Sequence, residues 1–351
     1  MVNKAFSLAL VFLSLALCAQ QKTSEKPKLV VGIVVDQMRY DYLYKFYNRF
    51  GEGGFKRLLN TGFVSHNTHY SYIPTYTGPG HASIYTGTTP SVHGIIANDW
   101  YSRAAEGTVY CVSDSASYTI GSVSGAGEMS PKNLLAGTLG DGLKLFTNDK
   151  AKVIGIALKD RGAILPAGHT ANAAYWFDGG KQGKWITSSW YRNELPQWVE
   201  EFNQKNYAKK AISADWNTLY PIETYEALQG DVNSYEHKFK GEENTGFPHK
   251  ISKIAALNKE YEILKAIPQG NTFTKDFAKK AIESEGLGAD AICDLLAISF
   301  SSSDYIGHQF GVNSVEVEDS YLRLDADLAD LFTYLDERVG AGKWLTFLTA
   351  D

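Results

Sequence analysis

Three stretches of the chain share one design, a β-branched apolar run that closes on an aspartate. Leu29 to Val35 (LVVGIVV) runs into Asp36, Leu295 to Phe300 (LLAISF) into three serines and Asp304, and Trp344 to Thr349 (WLTFLT) into Ala350 and Asp351. Runs that stay apolar instead of alternating belong to strands buried on both faces, and hence to a sheet covered by helices. A carboxylate just past such a strand lies at the C-terminal edge of the sheet, where open α/β folds build their sites. One strand-end aspartate commonly caps the next helix. Three in one chain point to a shared site, with coincidence as the competing account.

Lys152 to Leu158 (KVIGIAL) is a further strand candidate and leads into Lys159, Asp160 and Arg161. Helical spacing runs through Tyr40 to Leu59 (broken by Gly51, Gly53 and Gly54), Asn133 to Phe146, and Leu322 to Val339. The expected fold is α/β, a central, mostly parallel sheet with helices on both faces and an inserted cap. From Gly168 to Gly286 the strand–helix alternation is lost, and five tryptophans (Trp176, Trp185, Trp190, Trp198 and Trp216) collect there. That stretch reads as a cap over the site or, with equal weight, as a decorated loop region. The expected division is a signal peptide over 1–20, core over 21–167, cap over 168–286, and core again over 287–351.

Lys4 followed by the apolar Ala5 to Leu17 and the polar QQKTSEKPK has the form of an export signal. It is shorter than the roughly 20 apolar residues that span a bilayer. The expected location is therefore periplasmic or secreted, with cleavage near Ala19 or lipidation at Cys18 both open. Nothing else approaches a membrane span. The net charge of -5 lacks the clustered basic residues of a nucleic-acid binder. Anion chemistry in this chain must draw on a few placed cations or on metal. Cys111 and Cys293 have no neighbour at CxxC spacing, so thiolate metal ligation is not supported.

Tyr76 to Ser83 (YTGPGHAS) places a hydroxyl residue before Gly-Pro-Gly and a helix-compatible run. The N–H groups and dipole of a helix N-terminus favour an anion. On this segment alone, Thr77 is an N-cap or a nucleophile. A threonine nucleophile needs a base or a metal to activate it. Asp36 and Asp351 can hold one divalent ion beside it. Asp304 and His308, at i, i+4 spacing, can hold another. Lys159 and Arg161 offer cations for phosphoryl oxygens, and Asn98 an amide donor.

Taken together, VVDQMRYDYL, YTGPGHASIYTGTTPSVHGIIAND, LKDRGA, SSSDYIGH and the final TAD resemble the alkaline phosphatase superfamily. More closely, they look like its phosphate-irrepressible periplasmic branch of the PafA type, cousins of the nucleotide pyrophosphatase/phosphodiesterases. The resemblance implies a phosphothreonine intermediate on Thr77 and two Zn²⁺ ions. One would lie on Asp36, Thr77 and Asp351, the other on Asp304 and His308. It also implies that Asn98, Lys159 and Arg161 hold the phosphoryl oxygens. In that family a histidine directly follows the aspartate matching Asp351, and another lies further on. This chain stops at Asp351, so a longer enzyme is expected, and the function read is that of the whole protein.

Threonine cannot become the formylglycine of a sulfatase. Between phosphate esters, the positive charge of Lys159 and Arg161 favours a small-molecule phosphate monoester over a diester. A diesterase or a secreted, non-catalytic binder of metal or phosphate remain the other readings. Oligomeric state is not legible in the sequence.

Overall fold

The computed structural model describes residues 26–226 and 230–351. The export signal expected over 1–20 lies outside the described residues. Among the described residues nine strands form in chain order: β1 (Leu29–Val35), β2 (Asp99–Ser102), β3 (Gly107–Tyr110), β4 (Thr119–Ile120), β5 (Val153–Ala157), β6 (Ala173–Asp178), β7 (Lys184–Ser188), β8 (Asp294–Phe300) and β9 (Trp344–Thr349). Seven make one sheet in the order β4-β7-β6-β5-β8-β1-β9, while β2 and β3 form a separate hairpin. The pairs from β6 through β9 are parallel; β7 pairs antiparallel with β6, and β4 antiparallel with β7.

Both faces are covered, as the unbroken apolar runs require. Along β1, Leu29, Val31, Ile33 and Val35 belong to the large core on one side, whereas Val34 packs with Tyr85 and Ala297 on the other. Five helices carry the argument: α1 (Thr77–Thr86), α2 (Asp160–Ala167), α3 (Gln269–Glu285), α4 (Ser302–Phe310) and α5 (Val315–Leu335). Phe273 and Phe277 of α3 and Leu324, Leu328 and Leu331 of α5 enter the large core. Ala82 of α1 and Ala163 and Ile164 of α2 enter the opposite one. Each fully buried side chain of this size contributes roughly 1.5–3 kcal/mol of transfer free energy.

Four local expectations shift. β6 and β7, with Trp176 and Trp185, join the main sheet, so the segment outside it begins after Ser188 and not at Gly168. The helix expected from Leu322 begins at Val315, where Ser314 accepts a hydrogen bond from Val317 N. Its first turns carry Glu316, Glu318 and Asp319, all buried, so the polar letters there hide a core-facing segment. Between Tyr40 and Leu59 the chain forms short helical pieces, because Asp325 of α5 takes the N–H groups of Gly51 and Phe55, each at 2.7 Å. The Asn133–Phe146 pattern is helical only from Leu139, after a capping box of Thr138 and Asp141.

Candidate active site

Strand order brings the site together. β8, β1 and β9 are adjacent and parallel, with Val35 beside Phe300 and Val34 beside Thr349, so all three strands end at one edge. Asp36, Asp304 and Asp351 therefore converge. β5 is the next parallel neighbour and delivers Lys159 and Arg161 to the same edge. Helix α1 starts there too. Its approach to Asp351 depends on Gly80, where a Cβ would lie 2.5 Å from the Cβ of Asp351.

Thr77 is the first residue of α1. Tyr76 is the N-cap and makes no side-chain cap bond, so the Thr77 hydroxyl is not spent on capping. It is buried, 3.1 Å from Lys159 Nζ and 3.4 Å from Asp36 Oδ1. The Lys159 ammonium bridges Asp36 Oδ2 and Asp304 Oδ2, both at 2.6 Å. It also lies over the Tyr305 ring at 5.1 Å. Lys159 is thus turned to the carboxylates and the Thr77 hydroxyl. Arg161 lines the cleft, donates to Tyr110 OH at 3.0 Å, and its buried Nε has no hydrogen-bond partner among the described residues. Asn98 accepts from Gly78 N at 2.7 Å, which leaves its NH₂ to donate into the cleft it lines. His308 is exposed, with Nε2 3.2 Å from Asp304 Oδ1. The cleft holds about 230 Å³.

Burial pushes the Asp36 carboxyl up to about 7; Lys159 opposes the rise and the Asp351 and Asp304 carboxylates add to it. Burial also acts to lower Lys159, but Asp36 and Asp304 outweigh it and raise its pKa. Asp351 goes the other way. Its burial is outweighed by His81, and the carboxyl is held at about 2. One ammonium thus bridges two carboxylates with a third close by, an imbalance that favours further positive charge.

Among the described residues no three His, Cys, Asp or Glu side chains close into a metal-ligand set. The residues nevertheless fit a cation. Lys159 stands between two carboxylates as a metal would, and the buried Asp351 Oδ2 has no aligned hydrogen-bond partner. Carboxylate oxygen and imidazole nitrogen are donors that zinc accepts.

Two residues that sequence reasoning passed over organise this set. Gln37 donates its backbone N–H to Asp351 Oδ1 at 3.0 Å and its amide to Asp304 Oδ1 at 3.2 Å, from a left-handed backbone with φ 64°. His81 lies one helical turn after Thr77. Its Nδ1 donates to the Thr77 carbonyl at 2.9 Å and lies 3.1 Å from Asp351 Oδ2, while Nε2 meets Ser299 Oγ at 2.8 Å. The i, i+4 spacing from Thr77 was the available signal; for Gln37 there was none.

Residues 30–351 match the type I phosphodiesterase / nucleotide pyrophosphatase family. A Myroides odoratus protein named calcium-transporting ATPase is 54% identical over 342 residues, 97% of this chain and 62% of its own. Alkaline phosphatase PhoV of Synechococcus elongatus is 54% identical over 330 residues, 94% of this chain and 60% of its own. Alkaline phosphatase PafA of Elizabethkingia meningoseptica is 48% identical over 338 residues, 94% and 61% of the two chains. The crystal structure of PafA superimposes with a TM-score of 0.90, covering 93% of this chain and 62% of that one. A solved PafA variant replaces one threonine, one asparagine, one lysine and one arginine. The chain spans about three-fifths of the length of these curated relatives.

Proposed function

The chain belongs to the type I phosphodiesterase / nucleotide pyrophosphatase family, and from that premise we propose that it serves phosphate-monoester hydrolysis through a phosphothreonine on Thr77. The observation that carries this reading is the Thr77 hydroxyl, free of capping duty at a helix N-terminus and 3.1 Å from a buried ammonium. The replacement of four residues of these same types in the PafA variant supports it.

In this mechanism the Thr77 hydroxyl gives its proton to solvent and its oxygen bonds to phosphorus. The ester P–O bond breaks, and the alcohol leaves with a solvent proton. Water then cleaves the phosphothreonine, releasing phosphate and restoring the hydroxyl. Lys159 stabilises the Thr77 oxygen as it becomes anionic. Arg161 and Asn98 orient the phosphoryl oxygens, and the first N–H groups of α1 add positive potential. Asp36, Thr77 and Asp351, with Asp304 and His308, would hold two zinc ions, which supply charge at the attacking and leaving oxygens. Positioning of charge carries most of such a reaction. Substrate breadth and a periplasmic or secreted setting belong to the same proposal. Among the described residues no helix is long and apolar enough to cross a membrane.

The test is hydrolysis of p-nitrophenyl phosphate against bis-p-nitrophenyl phosphate, with chelator and with added zinc, beside Thr77→Ala. Zinc-dependent monoester turnover lost in Thr77→Ala is the expected result. Preference for the diester would move the protein to the phosphodiesterase reading that the family description favours. No turnover of either by the complete protein would leave a binding role.

A further inference from the structure

Arg161 faces two cavities. One is the cleft over Thr77; the other is a chamber of about 290 Å³ that Arg161 lines as well, together with Lys159. That volume sits at the small end of the roughly 300–1,000 Å³ of ligand pockets, with room for a single ring. The segment after β7 contributes to this chamber and not to the cleft, through Glu262 and Lys265. Their position is fixed. At Gly179, in the turn between β6 and β7, a Cβ would collide with Glu262, and Lys259 and Glu260 before it adopt left-handed backbone at φ 59° and 52°.

The lining is charge-balanced, with Lys159, Arg161 and Lys265 against Asp160, Asp178 and Glu262. A second phosphate would meet as much negative as positive charge. Hydroxyl groups match better, since they donate to carboxylates and accept from an ammonium. Lys265 pairs with Glu262 at 2.9 Å and keeps 14% of its side chain exposed, so its remaining N–H groups can reach a ligand. Tyr305 and Tyr110, both only partly buried, add ring surface with a hydroxyl.

We infer that this chamber is a subsite for the alcohol part of the substrate, and that it selects a neutral, hydroxyl-rich single ring such as the sugar of a sugar phosphate. The inference rests on the phosphoryl-transfer reading. A phosphoryl group held against Arg161 in the cleft brings its ester substituent to the chamber that the same guanidinium borders.

The test is calorimetric binding of inorganic phosphate, pyrophosphate and glucose 6-phosphate to the zinc-loaded complete protein carrying Thr77→Ala, with and without Lys265→Met. Glucose 6-phosphate should bind more tightly than either inorganic ligand. Lys265→Met should weaken it about 10-fold, roughly the loss of one charged hydrogen bond, while phosphate changes less than about two-fold. Glu262→Gln, which keeps a hydrogen-bonding partner for Lys265, repeats the measurement if Lys265→Met does not fold. An equal change for phosphate and glucose 6-phosphate, or none for either, overturns the subsite. Pyrophosphate as the tightest ligand overturns the neutral assignment. No phosphate binding even when Thr77 is intact would instead overturn the phosphoryl reading, and the subsite with it.

Discussion

Two regions of this molecule bury charge, and they do it differently. Under the segment that follows β7, the first turns of α5 carry buried carboxylates, and among them Asp319 has both oxygens engaged. Asp319 accepts from Trp216 Nε1 at 2.8 Å and from Leu219 N, Tyr225 OH and Arg323 Nε, each at 2.6 Å. His249 lies between Glu242 at 3.0 Å and Glu316 at 3.2 Å. At the C-terminal edge of β8, β1 and β9, three carboxylates gather around one ammonium, and Arg161 Nε stays without a hydrogen-bond partner among the described residues. Burial of charge is common to both regions, so it does not mark the site. Nor does an unpartnered atom, since Glu316 Oε2 lacks a hydrogen-bond partner too; what sets the edge apart is that its carboxylates outnumber the ammonium and line an open cleft.

The largest effect expected from this contrast is at Thr77. Thr77→Ala should lower kcat by on the order of 10⁴-fold or more while leaving the thermal midpoint nearly unchanged. Asp319→Ala should do the reverse. Stranding four donors should cost about 3–5 kcal/mol in urea unfolding, with normal turnover per folded molecule. If Asp319→Ala lowers kcat in folded protein, the two regions are not separable and the contrast fails.

The next effect is pH-dependent. Burial works to lower His249, but hydrogen bonds to Glu242 and Glu316 outweigh it and push the imidazole up to about 9. Burial raises Glu316 to about 7. Both groups bind protons more tightly in the folded protein than their ordinary values near 6.5 and 4.3. The His249 contribution is complete below about pH 6.5 and is lost as pH rises through about 9; the Glu316 proton is lost earlier, through about 7. Together they should remove on the order of 5 kcal/mol between pH 6 and 10, read as unfolding free energy. His249→Gln should flatten that slope, and an unchanged slope would reject the assignment. The smallest effect is at Tyr110, which holds Arg161 through its hydroxyl at 3.0 Å. Tyr110→Phe should weaken phosphate inhibition by about 10-fold or less without shifting the pH profile of unfolding.

Several parts of this protein are legible in the order of its residues. The unbroken apolar runs at Leu29–Val35, Leu295–Phe300 and Trp344–Thr349 require a sheet covered on both faces, and each run forms a strand. The Asp304–His308 spacing requires one helical turn, and Tyr76–Ser83 requires a turn into a helix; both form. These are local properties, set by the periods of strand and helix and by the conformational reach of glycine and proline. The start of α5 is hidden because its buried Glu316, Glu318 and Asp319 are paired with groups more than 60 residues away, such as His249 and Trp216. The membership of β6 and β7 in the main sheet is hidden for a similar reason, since pairing is decided by a neighbour and not by the strand itself.

The site divides along the same line. Sequence alone determined which residue types stand at the ends of which runs. The tertiary structure decided that β8, β1 and β9 are neighbours, that Tyr76 and not Thr77 caps α1, and that Lys159 turns to Asp36 and Asp304. Strand order and the partner of a buried charge depend on groups far apart in the chain, as when Gln37 reaches Asp351 across 314 positions. No local period encodes such a choice; it is made when the whole core closes and each buried charge takes the partner that folding has brought within reach.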